Sequence, residues 1–216
     1  MSWLAEAASG ETSAEEQPFT IALGEVINTV DSTGAGRVQV QLPWLASAQP
    51  WARVAVPAAG SNRGMYMIPH EGDEVLLAFN RSDVTDCYVI GSLWTTFDAP
   101  PRQAPLDPTT KVVIRTEVGH EIELDDLAQS VSITTSTGHS FKLSPSGIKM
   151  STSGDTASVS LGQAGDVTIE ATTSLTIRAK TIKIEGTGQV KVESSGNVSI
   201  DGGATCQVKA SMILLN

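Results

Sequence analysis

Apolar and polar residues alternate in short runs along most of the chain, and Gly, Ser, Thr, Asn and Asp break the runs at close intervals. The first two runs are 20–30 and 37–42. Between them lies Asp31-Ser32-Thr33-Gly34-Ala35-Gly36, a turn-forming stretch that predicts a β-hairpin. Runs at 52–56, 64–68, 74–79 and 87–93 follow. So many short strands hide their edges best in a small closed barrel. Helical spacing with caps is absent, and the Leu4, Ala7, Ala8 pattern is too short to hold a helix alone.

The second half reads differently. Apolar-polar-apolar triplets recur at Val167-Thr168-Ile169, Leu175-Thr176-Ile177, Ile182-Lys183-Ile184, Val190-Lys191-Val192, Val198-Ser199-Ile200 and Cys206-Gln207-Val208. Their starting positions step by 8, 7, 8, 8 and 8. Each triplet puts two apolar side chains on one face of a strand, and a small polar turn follows, so one octad is one strand plus one corner. Less regular triplets precede them at Val131-Ser132-Ile133, Phe141-Lys142-Leu143, Ile148-Lys149-Met150 and Val159-Ser160-Leu161. These are expected to be earlier members of the same array.

A short fixed period means stacked units that cannot bury their apolar face alone. One chain wound into three-sided rungs would make only about three rungs with two bare ends. Three chains wound around one axis would make a prism roughly 50 Å long at about 4.8 Å per strand. The octads therefore predict a homotrimeric, intertwined β-helix with Val167, Ile169, Leu175, Ile177, Ile182, Ile184, Val190, Val192, Val198, Ile200 and Val208 as its core. Lys183 and Lys191, each followed by a glutamate at 185 and 193, would form a ladder of surface charge pairs of minor energetic weight.

Composition divides the chain at the same place. Of its ten aromatic residues only Phe141 lies beyond Phe97, which suits an interior of stacked Val, Ile and Leu in the second half. Pro100, Pro101, Pro105 and Pro108 crowd between the halves and favour a stiff, extended linker. The expected organisation is all-β: a flexible acidic tail over 1–17, a barrel over 18–99, a linker over 100–108 and the β-helical spike over 109–216. Trp44, Trp51 and Trp94 are expected to fill the barrel core.

Formal charge is −10 and no Lys/Arg cluster interrupts it. Nucleic acid is therefore not an expected partner, although barrels of this size often bind single strands through aromatics in a basic groove. No apolar run is long enough to span a bilayer, and the first 18 residues lack the basic and apolar regions of a signal peptide, so synthesis in the cytoplasm is expected. Cys87 and Cys206 fall in different halves and read as buried apolar fillers.

The series Gly24-Glu25-Val26, Gly36-Arg37-Val38, Trp51-Ala52-Arg53-Val54, Ala59-Gly60, Gly72-Asp73-Glu74-Val75 and Val89-Ile90-Gly91-Ser92-Leu93 resembles the OB domain of the phage baseplate assembly protein V and VgrG-type spike family. The motifs run in family order over roughly 19–101. They depart from the pattern at Asn80–Asp86, where the family has a Gly-Asp turn; a longer or rearranged loop is expected there. The resemblance implies an OB-fold barrel followed by a trimeric intertwined β-helix, in the central spike of a contractile phage tail, tailocin or injection particle. It also implies a baseplate hub protein docked through the barrel, and a target envelope that the spike pierces.

The apolar ending Met212-Ile213-Leu214-Leu215-Asn216 stops without a cap, and strand alternation places Leu214 outward. These five residues are the expected platform for a separate PAAR-type tip protein. Some family members end in a His-x-His metal tip, but here the histidines at 70, 120 and 139 are scattered and none lies in the last 70 residues. No metal or cofactor is expected, and the histidines read as surface or hydrogen-bonded residues. Glu121, Glu123, Asp125 and Asp126 could serve sugar hydrolysis, but without an aromatic sugar platform they read as a solvated face. No catalytic residue is expected. A reduced type VI secretion spike is the nearest alternative, and a β-helical polysaccharide-degrading tail enzyme is the alternative from another class.

Overall fold

The computed structural model describes residues 20–81, 83–102 and 107–214; the expected N-terminal tail lies outside them. Seven strands precede the linker: β1 Thr20–Asn28, β2 Arg37–Gln41, β3 Trp51–Val54, β4 Ala59–Gly60, β5 Arg63–Gly64, β6 Glu74–Asn80 and β7 Asp83–Leu93. Five of them close a barrel in the order β1-β2-β3-β7-β6, with β3 and β7 parallel and the other pairs antiparallel. The expected β1–β2 hairpin is present, with Glu25 opposite Gln41. In β6 the buried positions Val75, Leu77 and Phe79 alternate with half-buried ones, the period-2 signature of a sheet with one interior face.

The barrel core is aliphatic: Val26, Val38, Val40, Leu42, Ala52, Val75, Leu77, Cys87 and Val89, with Phe79 its one buried aromatic. The tryptophans do not fill it. Trp44 lies edge-on to Phe79, their centroids 6.1 Å apart, with its outer half in solvent; Trp94 is exposed, and Trp51 lies on the outside under the Arg37 guanidinium.

Two other expectations change. The run 64–68 pairs only at Arg63–Gly64 and then leaves the sheet. At 80–86 there is no longer loop: Asn80 pairs with Asp83, and β7 starts there. Arg81 takes the left-handed conformation that a glycine would favour, while Asp86 accepts from Asn80 Nδ2 at 2.7 Å.

At the linker's end, Asp107–Thr110 makes one helical turn where extended chain was expected, with Pro108 inside it. Seven strands follow: β8 Lys111–Arg115, β9 Glu121–Asp125, β10 Ser130–Thr134, β11 Ser140–Ser144, β12 Gly147–Ser151, β13 Ala157–Gly162 and β14 Val167–Ala171. They form an antiparallel meander in sequence order. The less regular triplets are thus hairpin strands paired within the chain, not rungs of a one-strand-per-side array. Their uneven spacing reflects turns of different length.

Two of those turns share one build. Thr116 Oγ1 accepts from His120 N at 3.0 Å and Thr135 Oγ1 from His139 N at 3.0 Å, with Gly119 and Gly138 at positive φ before each histidine. His120 Nδ1 accepts from Ser136 N and His139 Nδ1 from Ser153 N, both at 3.2 Å, so each imidazole ties its turn to the next. These two histidines are hydrogen-bonded structural groups, as expected from their isolation in sequence.

Beyond Ala171 the chain continues through five more triplets, yet among the described residues 173–214 belong to no strand and stay exposed. Lys183 and Glu185 pair at 2.5 Å, as do Lys191 and Glu193.

Candidate assembly interface

Register decides which side chains share a face of the meander. One row runs Val112, Leu124, Val131, Leu143, Ile148, Leu161, Val167, and a second runs Ile114, Ile122, Ile133, Phe141, Met150, Val159, Ile169. Every strand contributes one apolar pair to this face. None of the fourteen is buried in the single chain. A sheet packed on its own core would bury this face, and none of the described residues does so here.

The opposite face is polar apart from Val113, and its charged groups on β8 and β9 are paired. Arg102, from the linker, donates through Nε to Glu123 at 2.9 Å and through Nη2 to Glu121 at 2.5 Å. Lys111 Nζ lies 3.3 Å from Asp125, and Arg115 Nη1 lies 3.4 Å from Glu121. Glu121 and then Glu123 raise the Arg102 guanidinium above its ordinary value, while the Ala128 amide and Lys111 hold Asp125 low. Asp125, held low in this way, is a poor candidate for the proton donor that hydrolysis needs. Further along, Lys142 stands directly opposite Lys149, whose ammonium pairs with Asp155 at 3.0 Å.

The residues expected in the trimer core fall in two places. Val167 and Ile169, on β14, complete the two apolar rows. Leu175, Ile177, Ile182, Ile184, Val190, Val192, Val198, Ile200 and Val208 lie on the unpaired segment, all exposed. Cys206 is exposed as well, not buried as expected, because its triplet has no cover within one chain. Cys87 is in the barrel core, where burial pushes its thiol up to about 11. Of the expected tip platform, Met212, Ile213 and Leu214 are exposed, while Leu215 and Asn216 lie outside the described residues.

Sequence reading missed the first two strands of the apolar face. Ile122-Glu123-Leu124 is a triplet of the same kind, whereas Val112-Val113-Ile114 is masked by an apolar residue in its middle position. It also missed Arg102, a lone cation in a proline-rich stretch with nothing local to mark its partners.

Among the described residues no helix is long and apolar enough to cross a membrane, and no group of three or more His, Cys, Asp or Glu is placed to hold a metal ion.

Comparison with known proteins matches these two units separately. Residues 22–94 match the type VI secretion system/phage-baseplate injector OB domain, and residues 111–172 match the phage baseplate V C-terminal trimerisation domain. Together they take in more than half the chain. The type VI secretion system spike protein VgrG3 of Vibrio cholerae serotype O1, strain El Tor Inaba N16961, is 33% identical over 109 residues, 45% of this chain. The actin cross-linking toxin VgrG1 of Vibrio cholerae serotype O1, strain Classical Ogawa 395, is 31% identical over 118 residues, 48% of this chain. The chain spans only 11% of the length of each of these relatives. The two matched domains, in this order along the chain, place it in the phage baseplate V family.

Proposed function

We propose that the protein is the structural central spike of a contractile tail or tail-like injection particle, three copies of which form a needle driven through a target envelope. The observation that carries this reading is the two-row apolar face left open on the meander. Covering a half-exposed aliphatic side chain contributes on the order of 1 kcal/mol. Three chains bring about 40 such side chains together, which outweighs the roughly 4–15 kcal/mol that each of the two association steps costs. In the trimer the three faces meet at one axis, and the segment from 173 onward finds its strand partners in the neighbouring copies. A shaft paired in this way is stiff, so it transmits force that the sheath supplies.

The barrel's role is docking to a baseplate hub protein. Ile21 and Leu23 on β1 point outward beside Ala78 and Leu76 on β6, with Ile90 on β7 next in the barrel order, and this apolar wall suits a protein partner. At the other end, Met212, Ile213, Leu214, Leu215 and Asn216 are the platform for a PAAR-type tip protein. A type VI spike of reduced form would use the same geometry, and the likeness to VgrG3 favours it as the second reading.

Sedimentation of the purified full chain tests the assembly. The expected mass is three times 22.6 kDa. A folded, monodisperse monomer at micromolar concentration overturns the proposal.

A further inference from the structure

Two loops at one end of the barrel, 65–69 and 94–97, carry large apolar side chains that are exposed among the described residues. The register fixes which end it is: Asn28 closing β1, Arg37 opening β2, Val54 closing β3, Glu74 opening β6 and Leu93 closing β7 all lie there. Met65-Tyr66-Met67-Ile68-Pro69 is an apolar run with no strand pairing, in which Ile68 packs against the barrel core and Pro69 is buried while Met65, Tyr66 and Met67 stay exposed. Tyr66 is 84% exposed, Trp94 72% and Phe97 94%. Phe97 is held there by a built turn, in which Thr95 Oγ1 accepts from Phe97 N at 3.1 Å and from Asp98 N at 2.9 Å. One exposed ring alone needs no partner, but several large apolar side chains gathered at one end mark an interaction surface.

This end faces the spike, because the chain leaves it toward the meander and His70 Nδ1 lies 3.7 Å from Glu117 in the first meander turn. Beside Glu117, Val118 is exposed too, and the uncovered rows of β8 and β9 begin at that turn. The chain's own meander is therefore adjacent and still leaves the rim bare.

We infer that the rim formed by Tyr66, Met67, Trp94 and Phe97 seats on the first meander hairpin, residues 111–124, of a neighbouring copy, so that the barrel is part of the trimer interface. The inference rests on the trimeric reading and extends it beyond the segment matched as a trimerisation domain. The occupant is a second copy because this end of the barrel abuts, through His70 and Glu117, the hairpin that opens the segment matched as a trimerisation domain, and the uncovered face of that hairpin is apolar like the rim itself.

The test places a photo-crosslinking benzoylphenylalanine at position 97, and separately at 66, in the purified full-length protein, with sedimentation run on the same sample. The expected result is an SDS-resistant dimer whose crosslinked peptide joins the rim to residues 111–124 of another copy. A trimer that gives no such adduct at either position, or only adducts within one chain, overturns the inference and leaves the trimeric reading standing. A monomer overturns both.

Discussion

Arg102 reaches across 21 residues of sequence to bond Glu123 at 2.9 Å and, through the same guanidinium, Glu121 two positions earlier on β9. The linker that follows the barrel is thereby fixed to the polar face of the meander before it enters it. Glu121 and Glu123 are each 17% exposed, so losing the guanidinium leaves two poorly hydrated carboxylates with only Lys111 and Arg115 to answer them. Arg102→Ala should destabilise the folded chain by about 1–2 kcal/mol, a figure already reduced for solvent screening. Urea melts at low and high salt check this: the wild type should lose stability as salt rises, and the variant should lose less. Equal midpoints at low salt would show the clamp to be idle.

A pH effect is expected in the barrel. The Asp31 carboxylate accepts from Arg37 Nη2 at 2.9 Å, Thr33 Oγ1 at 2.7 Å and the backbone amides of Thr33, Ala35 and Arg37. The Arg37 guanidinium first, and then the Thr33 contacts, hold this carboxyl far below the ordinary carboxylate range. A depressed folded value means that the contribution to stability is complete above the unfolded pKa of about 3.9 and is lost as the pH falls below it. Asp31→Asn should therefore melt at lower temperature than wild type at pH 7, and the gap should narrow steadily from pH 4 toward pH 2. A gap independent of pH would mean that the charge contributes nothing.

Much of this architecture was legible in the sequence because strand periodicity is local. The β1–β2 hairpin, the alternation in β6 and the octads beyond Val167 could all be read from residue spacing. Pairing is not local, and there the reading went astray. Val131-Ser132-Ile133 and Val198-Ser199-Ile200 have the same pattern, yet the first pairs antiparallel within its own chain and the second pairs with nothing in it. What separates them is the turn: Thr135-Ser136-Thr137-Gly138-His139 closes a hairpin through a side-chain hydrogen bond, and the corners after Ile169 do not fold back. The tryptophans were misread because side-chain size does not say which positions point inward, and the one aromatic at an inward position is Phe79.

Ile184 and Ile200 separate assembly from local folding. Both lie on the segment without strand partners in the single chain, and both are largely exposed there. Replacing either with Asp costs one chain little by itself, but in a trimer it brings three carboxylates together around a buried axis. Each variant should remain soluble with its barrel folded and should fail to trimerise, or do so with affinity reduced by more than a hundredfold. Analytical ultracentrifugation reads the outcome. A wild-type trimer from Ile184→Asp would place that side chain on the outside of the needle and require the octad faces to be reassigned.

The C-terminal end gives the sharpest test of the proposed tip platform. Met212, Ile213 and Leu214 are exposed in the single chain, and alternation sends Leu214 away from the side that Ile213 occupies. A trimer would bring three copies of Met212, Ile213 and Leu214 to one level, where their exposed apolar side chains form a single patch. If Ile213 and Leu215 only fill the last core layer, deleting 212–216 should lower the melting temperature of the trimer and change nothing else. If the ending holds a tip protein, the deletion should leave the trimer assembled and abolish co-purification of a small tip protein expressed from the same gene cluster. Leu214→Glu should do the same without shortening the chain, since an outward glutamate leaves the core layer intact while placing three charges on the platform. Retention of the tip protein by Leu214→Glu, at wild-type stoichiometry, would remove this residue from the contact and the proposal with it.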